Sequence, residues 1–395
     1  MSAISSELAE KTNFHVAVPG TYIPGRKPIT IEYFVGKFTV YNSKQAPKDV
    51  IIKGNDGNFY QYLLKGHEDL RLDERIMQFF GSVNSFILKE TCFNGNIIQT
   101  TSVIPLSNAH GLVQWIPGTE TLRNIFETVR NLHKIEPLIE YTLAEKYSHG
   151  IYDNLMPIQK MQILEKIFYE IPDNVISNFF WLKSPDSKTW LKQINTFSIT
   201  SAMTSILGYV IGLGDRHPSN LLINSITGKV IHIDFGDCFE KAANRKRFPE
   251  TVPFRLTRNM VKALGPGGVD GIFRSSFINM SNILRDNYRV LVMILAIFVQ
   301  EPLVDSDDCV EDNMANDYKM ISLHDSESYL GDIACESSVL SSVEMTRRVK
   351  AKLTGTDFGT KDKPFSVEEQ ADKLISMATD TYLLSKMYSG WCPFW

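Results

Sequence analysis

Residues 212–237, GLGDRHPSNLLINSITGKVIHIDFGD, constrain this chain more than any other stretch. Two polar clusters, Asp215-Arg216-His217-Pro218-Ser219-Asn220 and His232-Ile233-Asp234-Phe235-Gly236-Asp237, are separated by short apolar runs around Asn224-Ser225-Ile226-Thr227-Gly228. Short apolar runs bracketing a turn that contains glycine predict a β-hairpin. A turn centred near Thr227 places Asn220 opposite Asp234 at the open end, with side chains roughly 5 Å apart. A carboxamide and a carboxylate held side by side are hard oxygen donors suited to Mg²⁺.

The chain has 395 residues, enough for two or three domains. Its 43% hydrophobic and 22% charged residues are those of a globular protein. A net charge of −4 gives no electrostatic case for binding nucleic acid. Five cysteines (Cys92, Cys238, Cys309, Cys335 and Cys392) are odd in number and lack metal-ligand spacing, which favours a reduced intracellular compartment. The polar start, MSAISSELAEKTN, has no signal-peptide core. The longest apolar run, residues 290–299, is about half the length of a membrane span, so a buried helix in a soluble protein is expected there.

Residues 1–13 read as a loose leader. Strands are expected over 31–34, 37–41, 49–53 and 58–65, forming a small antiparallel sheet with a polar loop over 42–48. Lys65 ends the fourth strand, where a lysine is most simply solvated. The charged run Gly66-His67-Glu68-Asp69-Leu70-Arg71-Leu72-Asp73-Glu74-Arg75 leads into a helix whose apolar positions Ile76, Phe79, Phe80, Val83 and Phe86 or Ile87 fall at helical spacing. A strand-end lysine followed by acids at a helix start could form the ion pair that positions a phosphate-binding lysine, with Glu68 or Asp73 as partner. Residues 107–111 read as a loop. The apolar strip over 112–118 could link a sheet lobe to a helical lobe and stack Trp115 on adenine; otherwise this lone tryptophan is core. Helices follow over 122–132, 158–169, 173–182 and 198–211, and residues 154–197 form a helical insertion that is plain scaffold or a docking element. Beyond an irregular loop carrying Arg245-Lys246-Arg247, helices are expected over 257–264 and 276–299. Residues 301–340 carry eleven Asp or Glu against one lysine, Lys319, and read as an acidic, mobile insertion. Two last helices span 339–353 and 366–387. The fold class is α+β, bilobal, with an antiparallel sheet lobe ahead of a larger, mainly helical one.

Asp215 stands five residues before Asn220, the spacing of the catalytic loop in protein kinases, and Asp234-Phe235-Gly236 follows as D-F-G. Such a centre works by positioning and charge neutralisation. Asn220 and Asp234 would hold the metal, Lys65 would neutralise phosphate charge, and Asp215 would accept or orient the proton of the acceptor hydroxyl. His217 follows the aspartate instead of preceding it, where it either pins the loop or stabilises charge on the transferring phosphoryl group. The loop over 43–48 contains no glycine, so Ser43 and backbone N–H groups would have to hold the phosphates.

These departures resemble the phosphatidylinositol 3-kinase-related protein kinases, through Gly214-Asp215-Arg216-His217-Pro218-Ser219-Asn220 and His232-Ile233-Asp234-Phe235-Gly236-Asp237. The stretches Leu64-Lys65-Gly66-His67-Glu68-Asp69-Leu70-Arg71, Phe248-Pro249-Glu250, Pro253-Phe254-Arg255-Leu256-Thr257-Arg258 and the terminal Gly390-Trp391-Cys392-Pro393-Phe394-Trp395 are similar to the target of rapamycin branch of that family. The resemblance runs from about Val16 onward, the acidic insertion excepted. It implies a serine/threonine protein kinase in nutrient-responsive growth signalling, using ATP with Mg²⁺ or Mn²⁺ and acting on protein substrates. It implies that Trp115 stacks on adenine beside Val113 and Ile116, with Leu222 and Ile233 also lining the nucleotide site. It likens residues 154–197 to an element that docks a WD-repeat propeller subunit. Residues 363–395 look like a FATC segment packed on the activation loop, whose aromatic residues are core or, as the resemblance allows, a peripheral membrane contact. A cytoplasmic location, including endomembrane surfaces of the vacuole or lysosome, and the nucleus fit that reading. The family's helical-repeat, FAT and rapamycin-binding regions would precede residue 1. Ser385 stands where a second tail cysteine is common, which argues against a disulfide within the tail. Two alternatives stay open: a phosphoinositide kinase, through the basic trio at 245–247, and a non-catalytic scaffold.

Overall fold

The computed structural model describes residues 7, 10–37, 39–41, 46–93, 95–300, 342–360 and 363–395. The expected acidic insertion over 301–340 and most of the leader lie outside them. The first sheet is antiparallel and built from β1 (Ile31–Phe34), β2 (Thr39–Val40), β3 (Lys48–Gly54), β4 (Phe59–Gly66), β5 (Val103–Ser107) and β6 (His110–Gln114). Its order is β1-β3-β4-β6-β5, and β2 pairs with the outer part of β3. The segment expected as a loop at 107–111 is a tight reversal joining two strands, β5 and β6. Gly111 permits it, because a Cβ there would lie 2.7 Å from Leu70 Cδ1 and 2.9 Å from the Ile104 carbonyl oxygen.

One face of the sheet closes a small core of Val18, Ile31, Val50, Ile52 and Tyr62. The other side carries α1 (Arg71–Ile87), which buries Ile76, Phe79, Phe80, Val83 and Ile87, the residues at its three- and four-residue spacing. These join the main core, which runs without a break into the helical region.

That region contains α2 (Leu122–Leu132), α3 (Ile139–Ser148), α4 (Pro157–Glu170), α5 (Val175–Lys183), α6 (Ser187–Val210), α7 (Arg258–Ala263), α8 (Ile272–Asp286), α9 (Tyr288–Gln300), α10 (Ser342–Thr354), α11 (Val367–Thr379) and α12 (Thr381–Lys386). A second sheet, β7 (Thr119–Thr121), β8 (Leu221–Asn224) and β9 (Val230–His232), is antiparallel and lies in the order β7-β8-β9. α6 begins eleven residues before the expected start at 198. Asp186 caps it, its carboxylate accepting the Thr189 N–H at 2.8 Å. From Thr196 onward the helix is buried all round, and Ser198, Thr200 and Thr204 satisfy their hydroxyls by back-bonding, as from Thr200 Oγ1 to the Thr196 carbonyl at 2.7 Å. The single helix expected over 276–299 is two, broken at Asn287, and that expected over 366–387 is also two. Asp380 is extended there and caps α12 by accepting the Leu383 N–H at 2.8 Å. α3 falls in the stretch over 119–210 expected to be mostly helical, though no separate helix is expected at its place. Among the described residues no helix is long and apolar enough to cross a membrane.

Candidate active site

The β8–β9 hairpin forms, with a register one residue from that expected. Leu221 pairs with His232 and Ile223 with Val230, and the Ile233 N–H reaches the Asn220 carbonyl at 3.2 Å. Asn220 therefore stands across from Ile233, and Asp234 is one position further out. The difference follows from the turn, in which the Asn224 carboxamide oxygen accepts the N–H groups of Ile226 and Thr227 and displaces the centre of the loop. Both residues still stand at the hairpin mouth, where the Arg216 guanidinium binds the backbone carbonyls of Ile233 and Asp234.

Arg216 is buried and donates to the Gly214 carbonyl at 2.7 Å, the Ile233 carbonyl at 2.7 Å and the Asp234 carbonyl at 2.5 Å. One side chain thus spans both polar clusters. Both catalytic-loop and hairpin aspartates occupy the left-handed region, Asp215 with φ 55° and Asp234 with φ 62°. Non-glycine residues persist there only when the surroundings fix them. The Asn220 Nδ2 donates to the Asp215 carbonyl at 3.0 Å, which leaves its Oδ1, a hard oxygen, for a cation beside the exposed Asp234 carboxylate. The donor set of one amide and one carboxylate oxygen fits a metal that keeps water and substrate phosphate as its other ligands.

His217 Nδ1 accepts the Ser219 N–H at 3.1 Å, so the proton of the neutral ring sits on Nε2. Burial holds this imidazole below its ordinary range against the opposing pull of Asp215, with smaller help from the charges of Arg216 and Arg255. His217 is thus a neutral N–H donor beside the aspartate.

On the sheet side, Lys65 pairs with Glu68 at 3.1 Å. Asp73, on the first turn of α1, is buried; burial pushes its carboxyl up to about 7, against the pull of Lys65 and the Phe235 N–H that it accepts. Glu68 is the bonded partner of Lys65, and Asp73 is the second acid beside it. Phe80 of α1 meets Phe235 edge-to-face at 5.7 Å, joining the helix to the Asp-Phe-Gly turn. Trp115 is half-buried next to Tyr41, rings 6.2 Å apart and nearly parallel, and its backbone N–H bonds the Gln61 carbonyl at 2.9 Å. It is not a core residue. Val113, paired with Leu63 and Val103, and Ile116, Leu222 and Ile233 are all half-buried. Ser43 lies outside the described residues.

Three residues that the sequence reading left without a role complete the site. Arg216 is one. Glu250 accepts the backbone N–H of Asp215 at 2.7 Å. Arg255 is fully buried and donates to the carbonyls of Arg216 at 3.3 Å, Trp391 at 2.6 Å and Cys392 at 2.8 Å, with its guanidinium over the Trp391 ring. Buried arginines in a polar loop were the available signal, but no periodicity marks their partners. The tail aromatics Trp391, Phe394 and Trp395 are core: Trp395 stacks on Phe126 at 4.4 Å and donates to Glu140 at 3.2 Å. Thr251 bonds the Leu383 carbonyl at 2.8 Å, so the irregular stretch over 237–257, the activation segment, rests on this tail.

A model of the family described as phosphatidylinositol 3- and 4-kinase matches residues 59–307, which contain every one of these groups except the tail, Tyr41 and Ser43. The chain belongs to the phosphatidylinositol 3- and 4-kinase family. A FATC domain model matches residues 364–395. Among curated members of the family, the chain is 36% identical to the serine/threonine-protein kinase mTor of Drosophila melanogaster, over 99% of this chain and 17% of that protein. It is 38% identical to the target of rapamycin homolog of Caenorhabditis elegans, over 99% and 15%. It is 39% identical to the serine/threonine-protein kinase TOR2 of Saccharomyces cerevisiae, over 99% and 16%. The chain thus spans less than a fifth of these relatives' length. The solved FAT and kinase domain of CtTel1 superposes on 97% of this chain with a TM-score of 0.74 at 24% identity, covering 25% of that chain, which shows the same phosphatidylinositol 3-kinase-like fold.

Proposed function

We propose that this chain is the catalytic part of a serine/threonine protein kinase of the target of rapamycin type, transferring the ATP γ-phosphoryl group to protein hydroxyls. The observation that carries the reading is the convergence of Asp215, Asn220 and Asp234 under one buried guanidinium, with the Lys65–Glu68 pair on the sheet side. Asp215 orients the acceptor hydroxyl and takes its proton. His217 Nε2–H donates toward the transferring phosphoryl group, and Lys65 neutralises the nucleotide phosphates. Asn220 and Asp234 would hold Mg²⁺ or Mn²⁺, which supplies the remaining charge neutralisation. Trp115 packs on the adenine, with Val113, Ile116, Leu222 and Ile233 around it, and Asp73 shares with Glu68 the orientation of Lys65. Ser43 contacts the phosphates. In this reading residues 14–116 are the smaller lobe with its hinge, 117–300 the larger lobe, and 363–395 a FATC segment that supports it.

The basic trio at 245–247 gives less support to a lipid substrate than the sequence suggests, because Arg245 is already paired with Asp237 at 2.7 Å. A WD-repeat propeller subunit is the proposed partner of residues 154–197, where Trp181, Leu182 and Leu191 are exposed on neighbouring helices. A cytoplasmic protein with peripheral endomembrane contact fits, but the buried tail aromatics must leave the core before they touch lipid. The test supplies labelled ATP with either protein or phosphoinositide vesicles and uses Asp234→Ala as control. Protein labelling that the control lacks is expected; lipid labelling alone overturns the reading.

A further inference from the structure

We infer that Glu250 is a positioning residue that holds the catalytic-loop aspartate in its left-handed conformation through the backbone, making phosphoryl transfer depend on the arrangement of the activation segment. The inference rests on the reading of Asp215 as the group that orients the acceptor hydroxyl.

The Glu250 Oε1 accepts the Asp215 N–H at 2.7 Å. Asp215 has φ 55°, a region that a side-chain-bearing residue occupies only under constraint. Among the described residues this N–H has no backbone acceptor, so Glu250 is the constraint on that side of the residue, as the Asn220 bond to its carbonyl is on the other. Glu250 is itself fixed. Its own N–H bonds the Ala242 carbonyl at 3.1 Å, which closes the segment into a loop against residue 214. The approach is close enough to require glycine at 214: a Cβ there would stand 2.2 Å from Ala242 Cβ and 3.3 Å from Glu250 Oε2. Displacing residues 242–250 therefore removes the acceptor from Asp215.

The charged groups around this carboxylate come from three stretches. Asp215 and Arg216 face it from the catalytic loop, Arg245 with its partner Asp237 from the activation segment, and Arg255 from the stretch leading to α7. Burial pushes the Glu250 carboxyl up to about 7, with the Asp215 N–H pulling the other way. A carboxylate is a stronger acceptor than a neutral carboxyl, so the constraint weakens as Glu250 takes up a proton. Glutamine at 250 keeps the shape and an acceptor oxygen but carries no charge, and so mimics the protonated form at every pH.

Steady-state kinetics of the full chain, with Mg-ATP and a protein acceptor from pH 6 to 8.5, test this. Glu250→Ala should lower kcat by about 10- to 100-fold, with KM for ATP within about twofold, since the loss is one of orientation and not of binding. Glu250→Gln should lower kcat about fivefold at pH 8 and abolish the acid limb near neutrality expected of the wild type. Thermal unfolding of both variants checks that each folds, and the near-isosteric Gln variant carries the test if the Ala variant does not. An active wild type whose kcat is unmoved in the Ala variant overturns the inference alone. So does a Gln variant that retains the wild-type acid limb, which then belongs to Asp73. A wild type that labels neither protein nor lipid overturns the reading of the site together with it.

Discussion

Asp215 and Asp234 share an unusual backbone state, and the residues around them explain how it is kept. Each left-handed non-glycine residue costs of order 1 kcal/mol or more, which fixed neighbours must offset. Arg216 does so by bonding the carbonyls of Ile233 and Asp234 at once, a task for a planar fork that an ammonium cannot copy. Arg216→Lys is therefore expected to lose most activity, about 100-fold or more in kcat, though charge is conserved. Asp215→Asn keeps the volume but cannot take a proton, and should lower kcat by roughly 10²- to 10⁴-fold with nucleotide affinity unchanged; titration with a fluorescent ATP analogue separates the two. Asp73 gives a prediction in stability. Its folded carboxyl is raised to about 7, above its unfolded value, so its contribution is fully present below the unfolded value and lost as pH rises through 7. Asp73→Asn should raise the Tm at pH 8 and leave it unchanged near pH 4. Equal shifts at both pH values would show that burial does not act on this carboxyl.

At the scale of elements, what could be read from the sequence depended on how local the cause was. α1 and α2 follow from apolar spacing, and the sheet of β1 to β4 from alternation bounded by turn residues, so both were legible. The breaks at Asn287 and Asp380 were not, because each is a change of direction within an unbroken apolar pattern. The extension of α6 back to Ser187 depends on one cap at Asp186, outranked in the sequence by the polar surface of the first turns. In the site, Lys65, Asp215, Asn220 and Asp234 stood at legible positions, while the one-residue register slip depended on the Asn224 side chain. Glu250 and Arg255 could not be found this way: each acts on a backbone group far along the chain, and backbone acceptors leave no mark in a sequence. Arg255 illustrates the consequence. It joins the tail carbonyls of Trp391 and Cys392 to the Arg216 carbonyl, so the last residues bear directly on the catalytic loop. Trp395→Ala would vacate the stack on Phe126 and leave Glu140 with one donor fewer, costing about 3–5 kcal/mol. Denaturant unfolding should show that loss.

For the molecule as a whole, the core passes without interruption from the sheet through Phe80 and Phe235 into the helices and on to the tail. Substitutions that weaken any part of this core should therefore weaken the site as well. The surface at residues 154–197 is the exception. Trp181 meets Trp190 edge-to-face at 5.8 Å, and Trp181, Leu182 and Leu191 remain largely in solvent. Apolar area of this kind contributes nothing to the isolated fold and about 25 cal/mol per Å² once covered. Trp181→Asp is expected to leave the Tm within about 1–2 °C of wild type, as a surface substitution does. It should weaken association with a purified propeller partner by tenfold or more, since buried tryptophans rank among the residues that carry most interface energy. Calorimetric titration of the wild type and the variant with the same partner measures both outcomes. Unchanged affinity would show that this patch is scaffold, and a large fall in Tm would show that Trp181 serves the fold and not a partner.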